Sequence, residues 1–201
     1  MNKPTEQPNT RERLIAAMAD ALQRRGLHGV GVNEVLAQAG APKGVLYHHF
    51  PGGKVELAVA AIQAVVAHLR ATLTQLQASQ GEALQVLRVW LEQARRQLEQ
   101  SGFERGCPLA TVALESGADD QTLRAALAAG FAEIRQLLAG LLGQAGVPEE
   151  RAGALATLTV AAYEGALLQA RVAGDGQALQ VTMNLLLEWI GGEIEAVGVT
   201  R

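Results

Sequence analysis

Between Pro42 and Lys54 the chain sets Lys43, Tyr47, His48, His49 and Lys54 among small residues, and the chemistry this offers is hydrogen-bond donation rather than catalysis. A lysine donates to the guanine acceptors of a major groove or to phosphate, tyrosine and histidine suit phosphate, and small residues such as Gly44 and Val45 let the backbone approach base edges. The one notable nucleophile elsewhere is Cys107, the single cysteine of 201 residues, which excludes an intramolecular disulfide and leaves an intermolecular one open. Of its imidazole partners, His28, His48 and His49 fall in the N-terminal stretch and only His68 lies beyond it. No phosphate loop, HExxH pair or CxxC occurs, so no nucleophile, base and orienting group converge. No enzyme activity, metal or cofactor is expected.

The elements that must hold these donors are helical. Val32, Val35, Leu36 and Ala39 repeat at i, i+3, i+4, i+7, which puts one apolar stripe toward a core. Gly40 ends that helix, and Pro42 suits the first turn of another, running from about Pro42 to His49 with Leu46 and Phe50 on its buried side. Lys43, Gly44, Val45, Tyr47 and His48 are then left facing outward. Upstream, Leu14, Ile15, Met18 and Leu22 form a bracing stripe behind Thr10 as N-cap. Downstream, Val55, Val59, Ile62, Val66, Leu69, Leu73 and Leu76 keep a strict 4, 3 spacing, which predicts a helix of about 25 residues and roughly 37 Å that can link two domains. Lys54 sits at its positive end, where helix dipole and side chain both favour phosphate.

Four or five further helices are read after Gln80: Gly81 to Gln100, a short one from Cys107 to Ser116, one capped by Asp119 and carrying Leu123 to Leu141, Pro148 to Ala173, and Gly176 to Val197. The expected fold is all-α, with about nine helices. Residues 1–52 are expected to form a three-helix DNA-binding domain with a helix-turn-helix, and residues 53–201 a helical dimerisation domain. The last helix is too apolar for one exposed half: Leu179, Met183, Leu186 and Ile190 lie on one side, with Val181, Leu185 and Trp189 displaced around it. It should bury two sides, one of them against a second subunit.

Apolar residues make up 49% and aromatics 3%, which favours helices packed round an ample core. No apolar run is read as reaching the length of a membrane span, and the N-terminus lacks the apolar stretch of a secretory signal, so the cytoplasm is expected. The net charge of −3 divides unevenly. Residues 1–54 hold seven Lys or Arg against four Asp or Glu, a surplus of three, which leaves −6 for the rest. A basic head on an acidic body fits contact with DNA phosphate.

The run Ala39 to Phe50, read as A-G-x-x-K-G-x-L-Y-x-H-F, resembles the TetR family of transcriptional repressors. The stretch Phe50-Pro51-Gly52-Gly53-Lys54 and Gly106-Cys107-Pro108 resemble its LmrA/YxaF-type subgroup. Gly31 and Val45 depart from the family, many members of which carry Ser or Thr there. A valine cannot hydrogen-bond a base, but it packs against a thymine methyl. The resemblance implies a homodimer on a palindromic double-stranded DNA operator, contacted through Thr10, Arg11, Lys43, Gly44, Val45, Tyr47, His48 and Lys54. It implies a dimer of four bundled helices through Gly165, Leu168, Leu185, Leu186, Trp189 and Ile190. It also implies a small-molecule pocket beside the fourth helix, with Trp90, Phe103, Cys107, Phe131 and Tyr163 as its lining and His68 and Arg171 as polar partners. The shortage of strong charges among these residues suggests a small apolar or aromatic effector, and the resemblance implies that its binding releases the operator by displacing the fourth helix.

Two other readings stand beside this one. Cys107, at a helix start two residues from Arg105, could serve as a redox or electrophile sensor, because a helix dipole lowers thiol pKa. A protein of the same fold that binds partners rather than DNA would be indifferent to substitution of Lys43 or Tyr47.

Overall fold

Helix α1 (Thr10–Arg25) begins at a capping box one residue earlier than the sequence suggests. The Asn9 side chain accepts from the Glu12 N–H (3.0 Å), and the Glu12 carboxylate accepts from the Asn9 N–H (2.9 Å). Thr10 is therefore the first helical residue rather than the cap, and its hydroxyl accepts from Arg13. The computed structural model describes residues 8–199, with side chains to residue 197. Lys3 and Glu6, counted in the charge of the head, lie outside the described residues.

The described residues form nine helices and no strand. Helix α2 (Val32–Gln38) buries Val35 and Leu36 and ends before Gly40, whose φ of +59° is the left-handed conformation glycine takes freely. Helix α3 (Val45–His49) is shorter than the sequence predicts. Pro42 and Lys43 stay in the preceding turn, closed by the Val45 N–H on the Pro42 carbonyl (3.1 Å), and Gly44 holds the N-cap position. Leu46 and Phe50 are buried as expected.

Helix α4 (Gly53–Gln80) has 28 residues and spans roughly 42 Å. Its predicted seam is buried at Ile62, Val66, Leu73 and Leu76, but Val55 is exposed. A seven-residue repeat drifts by about 20° per heptad round a straight helix. Near the head the inner face therefore passes to Leu57, Ala58 and Ala61. Helices α5 (Ala83–Gln100), α6 (Pro108–Glu115), α7 (Gln121–Gln144), α8 (Glu149–Ala173) and α9 (Gln177–Val199) complete the body. Asp120, not Asp119, holds the N-cap position of α7, where its carboxylate accepts from the Gly117 N–H (2.8 Å).

One continuous core runs from α1 to α9, and α4 and α7 pack across its middle. Both have the length and mean hydropathy, 1.5 and 1.4, of a membrane span by composition alone, although charged and amide residues interrupt each of them. Each buries one face against neighbouring helices, Leu57, Ile62, Val66, Leu73 and Leu76 on α4 and Leu123, Leu127, Ile134, Leu138 and Leu141 on α7. Gly130 lets α7 come close: a Cβ there would lie 2.9 Å from Leu109 Cδ2 and 3.3 Å from Val66 Cγ2.

Candidate functional site

The outward face of the head is built on what the buried face fixes. With Leu46 and Phe50 in the core, Lys43, Gly44, Tyr47 and His48 are exposed and Val45 is half-buried. Nothing lies within 4 Å of the position a Cβ on Gly44 would take, so its backbone is open to a close approach. Gly53, at φ +68°, passes under Tyr47, where an added Cβ would lie 3.3 Å from Cε1. This sets Tyr47 beside the start of α4, next to Lys54. Arg11 stacks its guanidinium over Phe50 (5.1 Å to the ring centroid), and Arg13 Nε donates to the Ala39 carbonyl (2.9 Å), so α1 is pinned to the end of α2.

Ion pairing sharpens the charge argument. Arg25 pairs with Glu34, and Arg24 with Asp20 and Glu104. Arg11, Lys43 and Lys54 take part in no ion pair among the described residues, so their charge remains for phosphate.

The body holds two adjoining cavities. One, of about 200 Å³, is bounded by α4, α5 and α8 and includes His68, Trp90, Cys107 and Tyr163. The other, of about 440 Å³, includes Phe131, Arg171 and, again, Cys107. Four residues, Gly106, Cys107, Glu164 and Leu167, belong to the walls of both. Phe103 lines neither: its own φ is +63°, and its N–H turns back onto the Leu98 carbonyl (3.0 Å), closing α5. The Trp90 and Tyr163 rings lie 5.5 Å apart, tilted by 37°.

Glu164 was not foreseen, although Val160, Glu164 and Leu167 share the i, i+4, i+7 spacing of an inner face. Burial raises its pKa, and a hydrogen bond with Cys107 offsets this only in part. The Cys107 thiol is pushed well above its ordinary value, first by burial and then by the Glu164 carboxylate. Backbone N–H groups of Leu109 and Ala110 at the start of α6 favour the thiolate, as the helix position suggests, but burial outweighs them. Arg105 does not help, because its guanidinium is turned to Asp20. Tyr163 is also raised, by burial first.

The same loop that walls the cavities is fastened to the head. The Gly106 N–H donates to the Gln23 carbonyl (2.9 Å), and Arg171 of α8 donates to the Arg24 carbonyl. At the far end of α6 the Glu115 carboxylate accepts from the N–H groups of Leu27 and His28. Gly26, at φ +69°, makes that approach possible, because a Cβ there would run into the Glu115 carboxylate.

A third feature lies on α8 and α9. Leu168 (55% exposed), Val172 (81%), Val181 (52%), Leu185 (61%) and Trp189 (47%) form outward rows at four-residue spacing. Gly165 is half-buried beside them. Leu186 and Ile190 point the other way and are buried in the core of their own chain.

Residues 14–61 match the family described as bacterial regulatory proteins, tetR family, and residues 83–184 match the transcriptional regulator LmrA/YxaF-like C-terminal domain. An HTH-type transcriptional regulator of Mycobacterium tuberculosis is 34% identical over 186 residues, 88% of this chain and 94% of that protein. The HTH-type transcriptional repressor NemR of Escherichia coli is 30% identical over 190 residues, 90% and 92% of the two chains. Its crystal structure in the reduced form superposes with a TM-score of 0.72 over 88% of this chain and 94% of that one, at 27% identity. A regulatory protein TetR from Rhodobacter sphaeroides superposes with a TM-score of 0.80 at 28% identity, covering 89% and 97%.

The half-buried carboxylate sets a pH dependence whose sign is fixed. Glu164 has a higher pKa folded than unfolded, so the folded chain holds a proton that the unfolded chain gives up. Stability is fullest below the ordinary glutamate range and falls as pH rises through the folded pKa. Glu164→Gln removes that decline. Thermal melts should show the variant more stable than the wild type at pH 8, with the gap closing by pH 4; about 1 kcal/mol would appear as roughly 2–4 °C. An equal gap at both pH values contradicts the assignment.

Proposed function

The chain belongs to the TetR family of bacterial regulatory proteins and is a DNA-binding transcriptional regulator, and on that premise we propose that it is a homodimeric repressor that leaves a palindromic operator when a small apolar or aromatic effector fills the body. One observation carries the reading: Gly106 both walls the cavities and is bonded to the last turn of α1. An effector that displaces this loop acts on the head directly, in addition to any push along α4. A hundredfold change in operator affinity needs about 2.7 kcal/mol of difference in effector binding between the two states.

In this reading the head is residues 1–52 and the body 53–201. The head reads DNA through Lys43, Gly44 and Val45 at base edges and through Thr10, Arg11, Tyr47, His48 and Lys54 at phosphate. The cavity residues His68, Trp90, Cys107, Phe131, Tyr163 and Arg171 hold the effector, and Glu164 joins them. The subunits pair through the α8 and α9 rows at Leu168, Leu185 and Trp189, beside Gly165. The protein works in the cytoplasm and performs no catalytic step.

A second reading runs through Cys107 as a thiol switch. It is favoured by the likeness to a structure of NemR whose reduced form is distinguished. The raised thiol pKa weighs against it, since the thiolate is the reactive form. Peroxide that releases DNA from the wild type but not from Cys107→Ser supports the switch, and indifference of the wild type to peroxide eliminates it.

Fluorescence anisotropy on the DNA flanking its own gene, against a shuffled duplex at the same salt, tests the main reading. Tyr47→Ala and Lys54→Ala should weaken binding to both duplexes, whereas Lys43→Ala should also cost about 1–3 kcal/mol of discrimination between them. Equal losses on both duplexes for all three variants would remove Lys43 from base reading. Leu185→Glu should convert a dimer to monomers in sedimentation; an unchanged mass contradicts the α8 and α9 interface.

A further inference from the structure

The cavity walled by Trp90, Tyr163 and Glu164 has a charge problem that its own residues do not solve. Glu164 forms no ion pair among the described residues, and its hydrogen-bond partner is the thiol of Cys107. A thiol is a weak donor, while a carboxylate offers about four acceptor positions. Of the other charged wall residues, Arg105 gives one guanidinium nitrogen to Asp20 while its buried Nε is without a hydrogen-bond partner, and Arg171, across the adjoining cavity, donates to the Arg24 carbonyl; neither forms an ion pair with Glu164. His68 is exposed on α4. The remaining wall is apolar, amide or, at Thr72, hydroxyl, with the Trp90 and Tyr163 rings 5.5 Å apart. A half-buried acid that no ion pair neutralises, beside two electron-rich rings, is complementary to a positive charge on an apolar frame.

We propose that the effector is an organic cation, an aromatic or alkyl ammonium whose positive group lies against Glu164 and whose apolar part packs between Trp90, Tyr163 and the aliphatic wall. The proposal rests on the ligand-responsive reading above and adds a positive charge to the apolar or aromatic effector named there. A neutral aromatic would leave the carboxylate buried and without a counter-charge. A cation supplies that counter-charge, and any proton held by the carboxyl group leaves to solvent as the cation binds.

Phenyltrimethylammonium and its neutral isostere tert-butylbenzene differ only in a nitrogen cation replaced by carbon, so calorimetric titration of the full chain with each isolates the charge. The wild type should bind the cation about tenfold more tightly than the isostere. Glu164→Gln should lose that preference while still binding the isostere, and Glu164→Asp, which keeps the charge, should retain part of it. Preference of the wild type for the isostere, failure to bind the cation, or an undiminished preference in Glu164→Gln overturns the proposal. Operator affinity measured with the bound cation separates the two claims. Binding with the expected preference and no release of DNA upholds the charge assignment and refutes the ligand-responsive reading.

Discussion

The last carbonyls of a helix have no partner within it, and in α1 the body supplies two of them. Gln23 accepts from the Gly106 N–H and Arg24 from the Arg171 side chain, while Gly26 closes back onto Leu22. Glu115 completes the join by accepting from Leu27 and His28 just beyond the helix. Each such bond contributes only about 1 kcal/mol net, but leaving its buried partner unmade costs more. The orientation of α1, and of α2 and α3 pinned to it through Arg13 and the shared core, therefore depends on where residues 104–107 and α6 sit. The head is held by the part of the body that encloses the cavities.

That placement makes the cavity wall the least settled part of the body. Elsewhere the buried positions are filled almost wholly by apolar residues, Thr159 apart, but here the half-buried Glu164, Cys107 and Tyr163 lie together with their ionised forms disfavoured by desolvation. Sequences are locally consistent with their fold except where function asks for something else. A carboxylate with a single thiol partner is such an exception, and it lies one residue from the aromatic pair and on the wall common to both cavities.

Much of this was legible in the sequence because helices announce themselves by period. The stripes of α1, α2, α5 and α7, and the glycine stop at Gly40, appear where apolar spacing places them. The N-cap of α1 was decidable too: Asn9 and Thr10 are both capping residues, but only Asn9 has a glutamate at N3. Other features had no local signal. Glu115 and Leu27 are 88 residues apart, and no periodicity brings a helix C-terminus to the end of another helix. Leu186 and Leu185 are adjacent and equally apolar, yet one faces the core and the other solvent, which only the rotation of α9 against its neighbours decides. Arg24 and Arg25 count as free charge in a sequence and as spent charge once Glu104, Asp20 and Glu34 are beside them.

The coupling between cavity and head is tested most directly by filling the cavity from within. Ala94 lines it from α5, and Ala94→Phe places a ring where an effector would sit. The measurement is the affinity of this variant, against the wild type, for a duplex selected by the wild type from a random pool and for its shuffled counterpart at equal salt. The account predicts a loss on the selected duplex of about tenfold or more, within the usual range of allosteric coupling, with binding to the shuffled duplex and the helical content unchanged. Wild-type affinity for the selected duplex in a variant whose cavity is filled would contradict it.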